Sequence, residues 1–307
     1  MRPAPPLART TLDRAAHRRR DPAWLAEAWT AARVLVVDAR GRALARGPRL
    51  VLVPAADAPA VPEAERMFLG VEPDGTPYFT VAADLPAVDG AEAVNLRDVG
   101  HLLDDRDAGL FTAAAALINW HAVHGFSPRT GHPTHPVDGG WARSDADGRL
   151  MWPRTDPAMI VLVHDGAPGP DGRCLLGHNV AWPAVEGERR FSCLAGYVEP
   201  GESAEAAVVR EVAEEVGAAV SAIRYEGSQA WPFPGSLMLG FSAVADPDLP
   251  VRVDPEEIDE ARWLTRTQIA AMVDGGWTDP DTGLALMLPM RASIAFFLIE
   301  TWLTATP

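Results

Sequence analysis

Chemistry is concentrated in one acidic stretch, Gly196-Tyr-Val-Glu-Pro-Gly-Glu-Ser-Ala-Glu-Ala-Ala-Val-Val-Arg-Glu-Val-Ala-Glu-Glu-Val-Gly-Ala218. Pro200-Gly201 is a turn. Ser203 can cap a helix, with Glu202 and Glu205 near its positive N-terminal end. The helix is predicted to run to about Val216, where Gly217 supplies a stop. Ala207, Val208, Val212 and Val216 can face a core. Glu211 and Glu215 lie four apart and share a face, and Glu214 lies three after Glu211, near the same edge. Like charges on one edge repel. Arg210 is the cation at hand, and it can reach Glu214. Three carboxylates there are unfavourable unless something positive lies between them, and a hard divalent cation with oxygen ligands fits that need. The plainer alternative is an acidic helix face turned to water.

A second stretch follows closely: Gly227-Ser-Gln-Ala-Trp-Pro-Phe-Pro-Gly-Ser-Leu-Met238. By itself a Trp/Phe/Pro-rich loop is core packing or a rigid turn. The other reading is a binding loop. Its prolines pre-order the backbone, so less entropy is lost on binding. Gln229 and Ser236 can hydrogen-bond ribose, phosphate or a base edge, and the aromatic rings supply apolar walls.

The elements that must position these residues are legible around them. A chain of 307 residues with 48% hydrophobic residues has room for two domains. A net charge of −15 excludes a general polyanion binder. Cys174 and Cys193 alone make no disulfide framework, which points to the cytoplasm. No signal peptide or membrane span is evident, and Ser293–Ile299 reads as a buried C-terminal helix. Residues 1–21, with Arg18, Arg19 and Arg20, read as a flexible solvated arm. A helix is predicted over Pro22–Arg33 and strands over Arg33–Asp38, Leu50–Val53, Arg66–Val71 and Tyr78–Val81. A further helix is predicted over 97–125, with Leu110, Ala114 and Leu117 as its apolar stripe. Residues 126–150 are loop-rich. From Met151 strands and helices alternate, beginning with Ala158–Val163 and its partner Arg173–Gly177.

The acidic stretch resembles the Nudix signature: Gly196, Glu202, Arg210, Glu211, Val212, Glu214, Glu215 and Gly217 fill its places, and Ala218 departs from its bulky last position. The second stretch resembles the Ser-Gln-Pro-Trp-Pro-Phe-Pro-x-Ser array of the NADH pyrophosphatase branch, with Ala230 in place of a proline. Leu96–Gly100, Trp120-His121, Trp152–Pro157, Glu257–Trp263 and Ser293–Ala295 are similar to further blocks in family order. The resemblance implies an α+β chain: a C-terminal Nudix α/β/α sandwich at 153–307, after a sheet-rich N-terminal domain at 22–118 and a degenerate zinc ribbon at 119–152.

It also implies roles. Glu211, Glu214 and Glu215, the carbonyl of Ala195 and the outlying carboxylate Glu257 would bind Mg²⁺ or Mn²⁺. Arg210 and Glu202 would hold the loop against the helix. Gln229, Ala230, Trp231, Pro232, Phe233, Pro234, Gly235 and Ser236 would contact the dinucleotide, with Ala295 from the C-terminal block. Trp152 and Tyr197 would be aromatic plates for a nicotinamide ring, contributed by different subunits of a homodimer. The implied reaction cuts NADH or NAD⁺ to NMN(H) and AMP, and extends to NAD-capped RNA. The rivals are another nucleotide diphosphate such as ADP-ribose, or a sensor without turnover.

The family's zinc ribbon is altered here. Its first Cys-x-x-Cys pair falls on Ser127 and Thr130, and its second near Ser144 and Asp147, so the sulfur site cannot form. His121, His124, His132 and His135 make two His-x-x-His pairs, but a zinc-free ribbon held by hydrogen bonds and packing is the expectation.

Overall fold

The computed structural model describes residues 4–305. Two compact units result: Pro6–Thr155 with Ala230–Ser236 form the first, and residues 4–5, Asp156–Gln229 and 237–305 build the second.

In the first unit, helix α1 (Pro22–Thr30) starts on the Asp21 side chain, which accepts from the Trp24 amide, with Pro22 at the first turn. Strands β1 (Arg33–Val37), β2 (Arg42–Arg46), β3 (Arg49–Leu50), β4 (Val53–Pro54), β5 (Met67–Val71), β6 (Pro77–Ala82) and β7 (Glu92–Asn95) follow. They form one sheet of order β3-β2-β1-β6-β5, with β4 added to β1 and β7 to β2. The segment expected as one helix over 97–125 is two: α2 (Leu96–Val99) and α3 (Asp105–Val123). The break falls where Asp104 accepts from the Asp107 amide and restarts the helix as a new N-cap. Leu110, Ala114 and Leu117 are fully buried against Leu35, Val37 and Met67. The other face of the sheet packs Val34, Val36, Phe68 and Phe79 against Trp24 and Trp29 of α1.

Residues 4–21 are not the solvated arm expected from their composition. Leu7 and Ala15 are buried, and Asp13 exchanges both backbone hydrogen bonds with Val71 at 3.1 and 2.8 Å. Next to Val71, position 70 admits only glycine, because a Cβ there would stand 2.5 Å from the Asp13 carbonyl oxygen. The guanidinium of Arg18 lies over Trp24 and that of Arg19 over Trp141.

The ribbon region is a three-stranded antiparallel sheet of β8 (Thr134–Val137), β9 (Ala142–Asp145) and β10 (Leu150–Met151). At the expected zinc knuckles stands a carboxylate. Asp145 is buried and accepts from the amides of Asp147 and Arg149, both at 3.0 Å. Thr130 Oγ1 lies 3.5 Å from it. The Arg149 amide, with help from Asp147 and the Ser127 hydroxyl, holds the Asp145 carboxyl below the usual carboxylate range. His121 is committed elsewhere, to the Gly140 carbonyl and Arg143, and His124 to the Trp120 carbonyl. The sequence signal for this arrangement is Asp145-Ala-Asp-Gly148, an Asx-turn pattern. Asp145→Ala is therefore expected to lower the melting temperature by several degrees, an effect that shrinks as pH falls through the depressed Asp145 pKa. The check is a pair of thermal melts of wild type and variant at pH 7 and pH 3.5; equal melting temperatures at pH 7 would remove Asp145 as the centre of the ribbon.

The second unit continues with β11 (Asp156–His164), β12 (Arg173–Asn179), β13 (Glu188–Arg190), β14 (Leu194–Tyr197), α4 (Ala204–Val216), β15 (Ser221–Trp231), β16 (Ser236–Val244), β17 (Ile258–Thr265), α5 (Arg266–Val273), β18 (Ala285–Met287) and α6 (Ile294–Thr304). Its main sheet has the order β15-β16-β11-β12-β17, with β14 paired to β11, and β13 pairs β18 separately. The alternation along β11 explains the layers. Met159, Val161 and Val163 meet Val208, Val212 and Val216 of α4 on one side. Ile160 and Leu162 meet Ile269 of α5 and Phe296, Ile299 and Trp302 of α6 on the other. An apolar strand buried on both faces is the centre of an α/β/α sandwich. Among the described residues no helix is long and apolar enough to cross a membrane.

Candidate active site

The site is built on α4. Ser203 caps it, accepting from the Ala206 amide at 3.1 Å, and Gly217 ends it in a left-handed conformation at φ 67°. Its buried face is Ala207, Val208, Glu211, Val212, Glu215 and Val216. Two carboxylates thus lie on the side of the helix that meets the sheet, which removes the reading of an acidic face turned to water. Glu211 is 7% exposed and Glu215 3%.

Strand β14 supplies the opposing wall. It is registered on β11 with Ala158 opposite Tyr197, Met159 opposite Gly196 and Ile160 opposite Ala195. This sets Gly196 directly against the Glu211 side chain: a Cβ at 196 would fall 1.9 Å from Glu211 Oε1 and 2.0 Å from its Cδ. The Ala195 amide donates to Glu215. One oxygen of Glu215, Oε2, is buried with no hydrogen-bond partner among the described residues.

Arg210 ties the preceding loop to the helix. Its Nε and Nη2 grip Glu202 through both carboxylate oxygens at 2.9 and 2.9 Å. Nη2 also donates to the Tyr197 carbonyl at 3.0 Å, and Nη1 to Glu211 and Glu214, each at 2.9 Å. The fork is the bidentate geometry that arginine makes and lysine does not. Arg210 holds Glu202 below the usual carboxylate range, and the three carboxylates push Arg210 further up. Glu214 is exposed, and so is Glu257, in the turn 254–257 that precedes β17. That turn is fixed to the end of α4 by the Asp254 amide, which donates to the Glu215 carbonyl at 3.0 Å.

Burial first, then the charges of Glu211 and Glu257, raise the Glu215 carboxyl to about 8. Burial also raises Glu211, against the pull of Arg210. A group with a folded pKa of about 8 and an unfolded value of 4.5 supports the fold fully below pH 4.5 and loses that support as pH rises towards 8. A tenfold difference in proton affinity between the folded and unfolded chain is worth about 1.4 kcal/mol. The metal-free protein is expected to melt several degrees lower at pH 8.5 than at pH 6, and saturating Mg²⁺ to cancel most of the loss. Melts with EDTA and with Mg²⁺ check this, with Glu215→Gln as the variant that lacks the pH-dependent fall. A fall of equal size in Glu215→Gln would assign it to other groups.

The remaining residues singled out from sequence fall in two places. Ala230–Ser236 belong to the first unit. There Trp231 and Phe233 pack on the core of Leu96, Leu110 and Leu117. Asn119 donates to the Pro232 carbonyl at 2.6 Å, and Arg97 lies 4.2 Å over the Phe233 ring. Trp152, also of the first unit, is 59% exposed. In the second unit, Tyr197 is 57% exposed, while Gln229 is buried and donates to the Ala292 carbonyl at 3.0 Å. Ala295 is buried in the first turn of α6. Gly196 is the site residue that sequence reading named only as a motif position; its need becomes visible once Glu211 is placed.

The sandwich, the capped acidic helix and the Arg210 clamp define a Nudix domain. The family model for the NUDIX domain matches residues 154–282, and that for the NADH pyrophosphatase-like rudimentary NUDIX domain matches residues 28–120. NAD-capped RNA hydrolase NudC of Mycobacterium tuberculosis is 43% identical over 308 residues, covering 98% of this chain and 96% of the relative. NAD-capped RNA hydrolase NUDT12 of Homo sapiens is 36% identical over 216 residues, 67% of this chain and 44% of the relative. The chain belongs to the NADH pyrophosphatase (NudC-like) family of Nudix hydrolases.

Proposed function

We propose that this hydrolase cuts the diphosphate of NADH or NAD⁺, adding water across the bridge to give NMN(H) and AMP, and that it acts likewise on NAD-capped RNA. The observation that carries the reading is the pair Glu211 and Glu215 on the buried face of α4, with a carboxylate oxygen that has no partner among the described residues. A buried carboxylate is costly to ionise, which is why Glu215 keeps its proton up to about pH 8, and a divalent cation is the ligand that offsets that cost. Among the described residues no three His, Cys, Asp or Glu side chains already stand as a ligand set. Glu211 and Glu215 would hold Mg²⁺ or Mn²⁺, with Glu214, Glu257 and the Ala195 carbonyl as further ligands. Such ions neutralise charge developing at phosphorus and lower the pKa of the attacking water.

The chain's own residues supply the rest. Arg210 keeps the loop 197–202 and Glu211 in one geometry. Glu215, or a glutamate outside the acidic stretch, would assist as the base that takes a proton from the attacking water. Gln229 and Ala295 of the second unit would bind the nucleotide, and Tyr197 would flank the nicotinamide ring. AMP release from NADH, NAD⁺ and ADP-ribose with Mg²⁺ or Mn²⁺ tests the reading. AMP from NADH at the highest kcat/KM is the expected result, and preference for ADP-ribose would replace the substrate. Binding without release would make the protein a sensor.

A further inference from the structure

The first unit contains a cavity that the hydrolytic reading does not use. It has a volume of about 480 Å³ and is lined by Arg19, Arg20 and Arg66 together with Leu25, Trp29 and Phe79. That size is in the range of small-ligand sites. Its cations are held in a particular way. The Arg19 guanidinium lies 3.6 Å over the Trp141 ring and the Arg66 guanidinium 4.4 Å over Trp29. Stacking fixes the plane of each guanidinium and leaves its N–H edge available. Neither has an ion pair or a side-chain hydrogen bond among the described residues, and the Nε of each is buried without a partner. Arg20 is held by Asp138 at 3.2 Å, and Glu63 is the other carboxylate at the rim. Burial and the charge of Arg14 lower the pKa of Arg19 to about 10, the mark of an uncompensated cation.

Half-buried guanidinium groups with unpaired N–H edges call for a planar or tetrahedral oxyanion, and phosphate takes two such forks at once. The apolar wall of Leu25 and Trp29, backed by the buried Phe79, adds a surface for a flat ring. We propose that this cavity is a second binding site, for a nucleoside monophosphate, with the phosphate on Arg19 and Arg66 and the base against Leu25 and Trp29. The site lies wholly within the first unit, needs no divalent cation, and stands independently of the reaction proposed for the second.

The test is titration of the full-length chain in EDTA with AMP, adenosine, inorganic phosphate and a 5′-phosphorylated RNA oligomer, followed by calorimetry and tryptophan fluorescence. AMP is expected to bind one to one, with Arg19→Ala and Arg66→Ala each weakening it by about tenfold or more. Arg19→Lys, which keeps the charge and disturbs packing least, is expected to recover part of the loss. Should Arg66→Ala fail to fold, Arg19→Ala against Arg19→Lys carries the test. Unchanged AMP affinity in the Arg19 variants, or no AMP binding, overturns the proposal. Phosphate binding as tightly as AMP overturns the nucleoside part, and binding of the oligomer but not AMP assigns the cavity to a nucleic-acid strand instead.

Discussion

Replacing Glu215 with Gln is expected to lower kcat for AMP release from NADH by a factor on the order of 10³, because the metal-assisted charge stabilisation it supports is worth several kcal/mol. The fold should not suffer. Glu215 is 3% exposed and sits beside Glu211, so in metal-free protein its charge opposes folding above pH 4.5. Glutamine keeps the shape and the contact with the Ala195 amide while removing that charge. The variant should therefore melt several degrees above wild type at pH 8.5 in EDTA, and it should lose the response to Mg²⁺. Loss of activity with gain of metal-free stability separates a functional carboxylate from a structural one, since a structural acid would lose both. Full activity in the variant would move the chemistry to another carboxylate.

Gly196→Ala has the second largest expected effect, a fall in kcat on the order of 10², the cost of displacing by about 1 Å a group proposed to hold the metal. The reason is geometric. The new methyl would occupy the place of the Glu211 carboxylate, 1.9 Å from Oε1. Glu211 cannot simply rotate aside, because Arg210 Nη1 grips it while also holding Glu214 and the Glu202 loop. Either the helix moves off β14 or the carboxylate leaves its position. Both outcomes are expected to weaken the Mg²⁺ binding proposed for this site, which calorimetry reads separately from turnover. Wild-type kcat and Mg²⁺ affinity in Gly196→Ala would show that the close approach of β14 to α4 is not required.

Much of this was determined by the sequence alone. The Ser203 cap, the Gly217 stop and the 3–4 spacing of Glu211, Glu214 and Glu215 are local, because a helix places its side chains by a fixed period whatever surrounds it. The two-faced apolar run of β11 likewise announces a covered strand. Tertiary structure decided the rest. Whether the glutamates face water or the sheet depends on what packs against α4, and Gly196 becomes indispensable only through the register of β14 on β11. Residues 4–21 look solvated by composition, yet Leu7 and Ala15 find cores formed by residues far along the chain. Asp145 takes the centre of the ribbon because its carboxylate can gather amides and hydroxyls that a turn brings together. Local periodicity is written in neighbouring residues, whereas burial, and with it the pKa of Glu215 and the stacking of Arg19 and Arg66, depends on partners that only the folded chain brings within reach.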